Sequence, residues 1–202
     1  MSEENGVIYR ISGPVVTAMG ISPRMYEVVR VGDEGLMGEV IELHGDQSVI
    51  QVYEETSGIS PGEPVIRTGQ TLSVQLGPGL LTKIYDGIQR PLPELEQTMG
   101  VFITRGVDAD GLDLEKIWDF TATAKAGDEV TSGAVLGTVQ ETETIEHRVM
   151  VPPGTSGVIK SIKSGEFNVT QTVCTLEDGT EITMMQKWPV RTPRPFVQKY
   201  AP

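Results

Sequence analysis

A chain of 202 residues is long enough for one large or two small domains, each with its own core. Its net charge of −12 argues against a nucleic-acid-binding or anionic-membrane-binding surface over most of its length. With 23 glycines, 13 prolines and only 5% aromatic residues, the composition favours β-structure with frequent turns over a helical bundle.

In chain order, Val7 to Ile11 reads as a first strand, and Gly13-Pro14 marks a bulge, corner or edge before Val15 and Val16 resume. Tyr26 to Val31 follows, then the turn Gly32-Asp33-Glu34-Gly35. Gly38 to Leu43 and Ser48 to Tyr53, joined by His44-Gly45-Asp46-Gln47, predict a β-hairpin. Leu72 to Leu76 (LSVQL) alternates apolar and polar residues and reads as the sixth run. Short strands at this spacing predict a small closed barrel, which leaves no exposed edge.

The next stretch, Leu76 to Leu92 (LGPGLLTKIYDGIQRPL), reads as a junction. Leu80, Leu81, Ile84, Tyr85 and Ile88 fall at helical spacing and predict one apolar face over two turns. Gly87 stands where a left-handed C-cap would fall, and Pro91 and Pro93 stop continuation. Those five apolar residues are the candidate interface of the chain. Pro93 to Met99 offers one helical turn or two.

Gly106 to Leu114 (GVDADGLDL) is acidic and turn-rich, a boundary signal. Its Asp-x-Asp-Gly fails as a calcium loop, because the twelfth position counted from Asp108 is Asp119 rather than glutamate. From Trp118 a second β-region begins. Ala126 to Val139 (AGDEVTSGAVLGTV) predicts a strand over Val135 to Val139. Val151 to Ile162 (VPPGTSGVIKSI) predicts another, with Val158 and Ile162 facing one way. Val169 to Leu176 and Glu181 to Met185 flank the hairpin loop Glu177-Asp178-Gly179-Thr180. From Ile182 onward there is no acid, and Lys187, Arg191, Arg194 and Lys199 make that tail +4. Its four prolines, at 189, 193, 195 and 202, predict an extended linker or docking segment.

No catalytic centre is visible. No lysine follows a glycine, which excludes a P-loop of the Gly-Lys-Ser/Thr type. His44 and His147 lack Cys or His neighbours at metal-ligand spacing and read as surface or partly buried residues. Ser156 lacks a nucleophile elbow. Glu54-Glu55 and the Glu141/Glu143 pair read as solvated faces, with repulsion along one strand face favouring exposure. The expected sites are therefore catalytic none, cofactor-binding none and metal none. Cys174, the single cysteine, permits no intramolecular disulfide and reads as a small buried strand residue. No apolar run approaches the ~18 residues of a membrane span, and the acidic start MSEENG is unlike a signal peptide. The chain reads as soluble and intracellular.

The phrases Ala126 to Val139 and Val151 to Ile162 resemble the two halves of a barrel-sandwich hybrid, the fold of lipoyl and biotinyl carrier domains. A carrier needs a lysine at the hairpin tip between them, and Thr138 to Val149 contain none. Carrier function remains an alternative from another class, as does an independent binding module using the +4 tail.

Several longer phrases converge on one family. RISGPVVTA (Arg10 to Ala18), MYEVVRVG (Met25 to Gly32), GEVIEL (Gly38 to Leu43) and IQVYEETSGISPGEPV (Ile50 to Val65) resemble the N-terminal barrel of the A (alpha) subunits of vacuolar/archaeal-type rotary ATPases. LSVQLGPGLLTKIYDGIQRPL and WPVRTPRPF resemble the barrel exit and the return into the catalytic domain. The resemblance implies a mainly β fold: a six-stranded-type β-barrel over residues 1–75 and a junction with a short helix over 76–104. A bulge, or non-homologous region, over 105–187 and a Pro-rich basic linker over 188–202 complete it. It also implies companion B subunits in an A/B hexamer ring, peripheral-stalk subunits meeting the bulge, and a cytoplasmic location on the face of a membrane when assembled. Membrane association would be only indirect, and no nucleic acid is implied. The parent protein would couple ATP, with Mg, to proton or sodium transport. This chain corresponds to its N-terminal portion, without the P-loop, and is expected to serve assembly and to bind no ATP by itself.

Overall fold

Short apolar runs cut by glycine and proline build the first half of the chain, seen here in a computed structural model that describes residues 5–81, 83–100 and 105–196. Strands β1 (Gly6–Ser12), β2 (Val15–Met19), β3 (Glu27–Val31), β4 (Leu36–His44), β5 (Gln47–Val52) and β6 (Pro64–Thr71) close into a barrel of order β1-β2-β5-β4-β3-β6. Every neighbouring pair is antiparallel, so the circle leaves no edge strand. Gly13-Pro14 is the two-residue turn joining β1 to β2, with Gly13 at φ 58° and Ser12 opposite Val15. The interior is filled by β-branched and small aliphatics, among them Val16, Ala18, Val29, Leu36, Ile50 and Val65. At Gly38 a Cβ would stand 2.6 Å from the Ile50 Cγ2, so only glycine lets β4 lie against that core.

The barrel count differs from expectation in its sixth member. Pro64–Thr71 closes the ring, whereas the LSVQL run forms β7 (Ser73–Leu76) outside it. The polar string Arg67-Thr68-Gly69-Gln70-Thr71 hid a strand that Pro64 can begin, since a first residue needs no ladder N–H. The alternation of LSVQL also misleads. Gln75 is buried there and Val74 and Leu76 are only half-buried, because Gln75 is fully engaged by hydrogen bonds described below.

The barrel wall holds two buried acids, Glu27 and Glu39. Glu27 receives Arg67 Nε and Nη2, each at 2.9 Å, together with the amides of Arg24 at 2.8 Å and Gly69 at 3.0 Å. Burial pushes its carboxyl pKa up, but the Arg67 guanidinium and the two amides outweigh burial and hold it below the ordinary 4.5. Tyr53 Oη donates to Glu39 Oε2 at 2.9 Å. The helix α1 (Leu92–Met99) places Glu94 in its first turn, where the helix dipole favours an acid, and buries Leu95.

The second half is a pair of four-stranded antiparallel sheets. One contains β8 (Trp118–Ala122), β10 (Val135–Gln140), β11 (Glu146–Met150) and β13 (Gly165–Phe167), in the order β11-β10-β8-β13. The other contains β9 (Glu129–Val130), β12 (Gly157–Ile162), β14 (Thr172–Leu176) and β15 (Glu181–Thr183), in the order β15-β14-β12-β9. Phe120, Leu136, Ile159, Leu176 and Ile182 fill the space between, and Phe167 meets Phe120 edge-on with centroids 6.4 Å apart. Cys174 is buried in β14, and burial pushes its thiol pKa up, away from reactivity. Val158 and Ile162, expected to face one way, are both half-buried. Ile159 is the core residue, because a bulge between Ile159 and Ser161 shifts the alternation.

The tail is paired at its start: β16 (Gln186–Pro189) hydrogen-bonds with β7 as a two-stranded ribbon. An edge position suits a strand that ends at a proline. The chain thus falls into two units, Met1–Ser73 with Pro93–Ala109, and Val74–Leu92 with Asp110–Pro202. The stretch 76–104 expected to be one linker is divided between them. The third crossing falls at Ala109, inside the acidic Gly106–Leu114 run. Asp108 there pairs with Arg30 at 2.5 Å, and Asp110 accepts from Gln75 Nε2 at 2.6 Å, so both serve as structural partners.

Candidate functional site

The segment carrying Leu80, Leu81, Ile84, Tyr85 and Ile88 does not form the expected helix. It is an irregular hairpin: Tyr85 bridges Pro91, the Leu92 amide donates to the Ile84 carbonyl at 2.9 Å, and the Asp86 amide to the Arg90 carbonyl at 3.1 Å. The reason lies in Asp86. Its carboxylate accepts from the amides of Ile88 (3.0 Å) and Arg90 (2.8 Å) and from Arg90 Nε (2.7 Å), closing a loop where a helix would need those amides. Burial raises the Asp86 pKa, but the Arg90 amide and guanidinium with the Ile88 amide bring it below the ordinary 3.8. The left-handed residue is Gln89 at φ 66°, not Gly87.

Without the helix, the five apolar residues part company. Leu80 packs half-buried against the sandwich core. Tyr85 and Ile88 are half-buried, and the Tyr85 hydroxyl donates to the Gly111 carbonyl at 2.9 Å. Leu81 is 41% exposed and Ile84 65% exposed, so the loop presents two aliphatics to solvent.

Two polar anchors hold this loop, and neither was expected in that role. The first is Gln75, which exchanges amide bonds with Gln89: its backbone N–H donates to Gln89 Oε1 and its carbonyl accepts from Gln89 Nε2, both at 2.7 Å. Gln75 Oε1 also accepts the Leu112 amide at 3.0 Å. The second is Glu141, expected to be solvated, whose side chain is only 4% exposed. Its Oε1 accepts the amides of Gly79 at 2.7 Å and Leu81 at 3.0 Å, while Oε2 faces His147 Nδ1 at 3.4 Å. Two backbone donors and an imidazole replace water, which overrides the expected repulsion from Glu143. Burial lowers the His147 pKa, offset in part by the charge and hydrogen bond of Glu141.

Chemically, this arrangement orders a loop and displays apolar side chains. No nucleophile faces a base among its described residues. Among the described residues no three His, Cys, Asp or Glu side chains gather as metal ligands, and no helix is long and apolar enough to cross a membrane. The β10–β11 turn, residues 141–145, carries no lysine for a lipoyl or biotinyl group.

Comparison with known proteins agrees with the two-part architecture. Residues 8–69 match the family described as ATP synthase alpha/beta family, beta-barrel domain, and residues 109–191 match the ATPsynthase alpha/beta subunit barrel-sandwich domain. The chain is 62% identical over 200 residues to the A subunit of the A-type ATP synthase of Methanosarcina barkeri, covering 99% of this chain and 35% of that protein. It is 62% identical over 198 residues to the same protein of Methanoculleus marisnigri, covering 98% and 34%. To that of Haloferax volcanii it is 58% identical over 201 residues, again covering 98% and 34%. The chain therefore spans about a third of the length of these relatives. With a barrel domain followed by a barrel-sandwich domain, and similarity along nearly its whole length, the chain belongs to the ATP synthase alpha/beta family as the N-terminal region of an A subunit of the A-type enzyme.

Proposed function

We propose that this chain is an assembly platform of an A-type ATP synthase that performs no chemical step itself. The barrel meets neighbouring chains, including companion B subunits, in an A/B ring, and the barrel-sandwich unit meets peripheral-stalk subunits. The single observation that carries this reading is the outer wall of the barrel. Val7 and Tyr9 on β1 and Ile66 on β6 are exposed although apolar, and Met19 and Pro64 flank Val7 in the strand register. An apolar strip across three adjacent strands, exposed among the described residues on a barrel that is already closed, suits burial against another protein.

Nucleotide and Mg chemistry belong, in this reading, to the portion of the relatives beyond the matched third. The chain sits on the cytoplasmic side of a membrane through the complex rather than through its own insertion. Co-purification with companion B and stalk subunits tests the assembly role, and Val7→Asp with Ile66→Asp should abolish recovery of the B partner. Undiminished recovery with the double variant, or no recovery of either partner with the parent chain, overturns the proposal. Calorimetric titration with Mg-ATP should give no heat of binding, and micromolar affinity would count against a purely assembly role.

A further inference from the structure

A groove of about 280 Å³ runs along the sandwich unit between strand β11 and the β7–β16 ribbon. Its lining includes Leu80, Met150 and Met184, and its charged or titratable lining side chains are all basic: Arg148, Arg194 and His147. In a chain of net charge −12 a wholly basic rim over an aliphatic floor is a local reversal of sign. The Glu141 carboxylate beside His147 is already committed to the amides of Gly79 and Leu81.

β11 is the outer strand of its sheet. The Met150 carbonyl points away from β10, because it accepts Gln186 Nε2 at 3.0 Å, whereas the Val151 amide turns back to Ala134. By strand alternation Arg148, two residues before Met150, also directs its backbone N–H and C=O away from β10. Gln186 closes one end of this edge, and its Oε1 receives Arg194 Nη2 at 3.2 Å, which holds that guanidinium at the rim. Stacking on Trp188, with the guanidinium carbon 4.7 Å from the ring centroid, fixes it further.

We propose that this groove binds an extended segment of a partner chain in which carboxylate and aliphatic side chains alternate. The segment adds a short strand along β11, seats its aliphatic side chains on Leu80 and the exposed Met150, and turns its carboxylates to Arg148 and Arg194. The observations that select this occupant are the open edge and the sign of the rim. The proposal stands apart from the assembly reading, since it concerns a surface of the sandwich unit and the chemistry of its ligand, whatever complex supplies it.

The test is a fluorescence-anisotropy titration of the whole chain with a labelled heptapeptide, Gly-Leu-Glu-Leu-Glu-Leu-Gly, blocked at both ends, and with its Gln and Lys counterparts. Saturable binding of the Glu peptide is expected, weaker in 0.5 M than in 0.05 M NaCl, with amide shifts in a ¹⁵N spectrum centred on β11 and β16. Arg148→Glu and Arg194→Glu, both at exposed positions, should each weaken it by about tenfold while leaving the circular dichroism unchanged. Equal binding of the Lys peptide, shifts mapping elsewhere, or full affinity in both charge reversals overturns the proposal. So does reproduction of the same shifts by sodium acetate alone, which would mark a simple anion site.

Discussion

The barrel and the sandwich solve the same problem, hiding a β-core from water, in opposite ways. The barrel closes its hydrogen-bond circle and fills the interior with small aliphatics. Its buried polar groups stand in the wall. The sandwich leaves sheet edges open, sets the rings of Trp118 and Phe120 among the aliphatics of its core, and uses buried polar groups to hold loops. Closure secures a wall that can face other proteins without pairing strand to strand, whereas open edges supply places where a further strand can be added.

The largest expected effects separate the two units by chemistry. Arg67→Met strands the buried Glu27 carboxylate and should cost the barrel about 3–5 kcal/mol, read by urea unfolding. Phe120→Ala should cost the sandwich a similar ~3–5 kcal/mol through a cavity beside Phe167. If Arg67→Met proves harmless, the barrel wall is not held by its ion pair and the contrast fails. Next comes Glu141→Ala, expected to cost about 2–3 kcal/mol and to expose the Gly79 and Leu81 amides to hydrogen exchange. Unchanged protection of those two amides would mean the loop is held by other contacts.

The pH dependence sharpens the comparison further. The folded His147 pKa lies below the ordinary 6.5, so the unfolded chain takes up the proton first. Its contribution is intact above 6.5 and is lost as pH falls from there through the folded value. Glu27 also has a lowered pKa, so the stability it contributes is present above its ordinary 4.5 and is lost as pH falls from there through the folded value. Thermal melts should therefore show the sandwich weakening at a higher pH than the barrel, and His147→Gln should remove the step nearer neutrality. The smallest effect is Ile84→Ser, within about 0.5 kcal/mol for stability because the side chain is already mostly solvated. A larger loss would show that the loop is buried against something in solution, such as a second copy.

Much of the fold was legible because strand ends carry glycine and proline and strand bodies carry β-branched residues. Gly13-Pro14, Gly45-Asp46 and Gly179 mark turns where the structure has them. What failed were places where side-chain hydrogen bonds override periodicity. Asp86 captures amides and replaces a helix whose apolar spacing was otherwise persuasive. Gln75 is drawn inward by Gln89, Asp110 and Leu112, partners that lie 14, 35 and 37 residues away and carry no local signal. Glu141 belongs to the same class, since its partners lie 60 and 62 residues before it in the chain. The strand Pro64–Thr71 was missed because the barrel pairs both its sides, and a ladder can carry polar residues that pattern alone assigns to a loop.

The β7–β16 ribbon has a mechanical consequence. It couples the start of the sandwich unit at Val74 to the last strand before the tail, so tension along the chain at those two ends meets the ribbon's hydrogen bonds before it reaches Phe120 and the core. A pull on the tail should therefore load two short paired strands before the sheets from β8 to β15, an order of rupture that force spectroscopy would read.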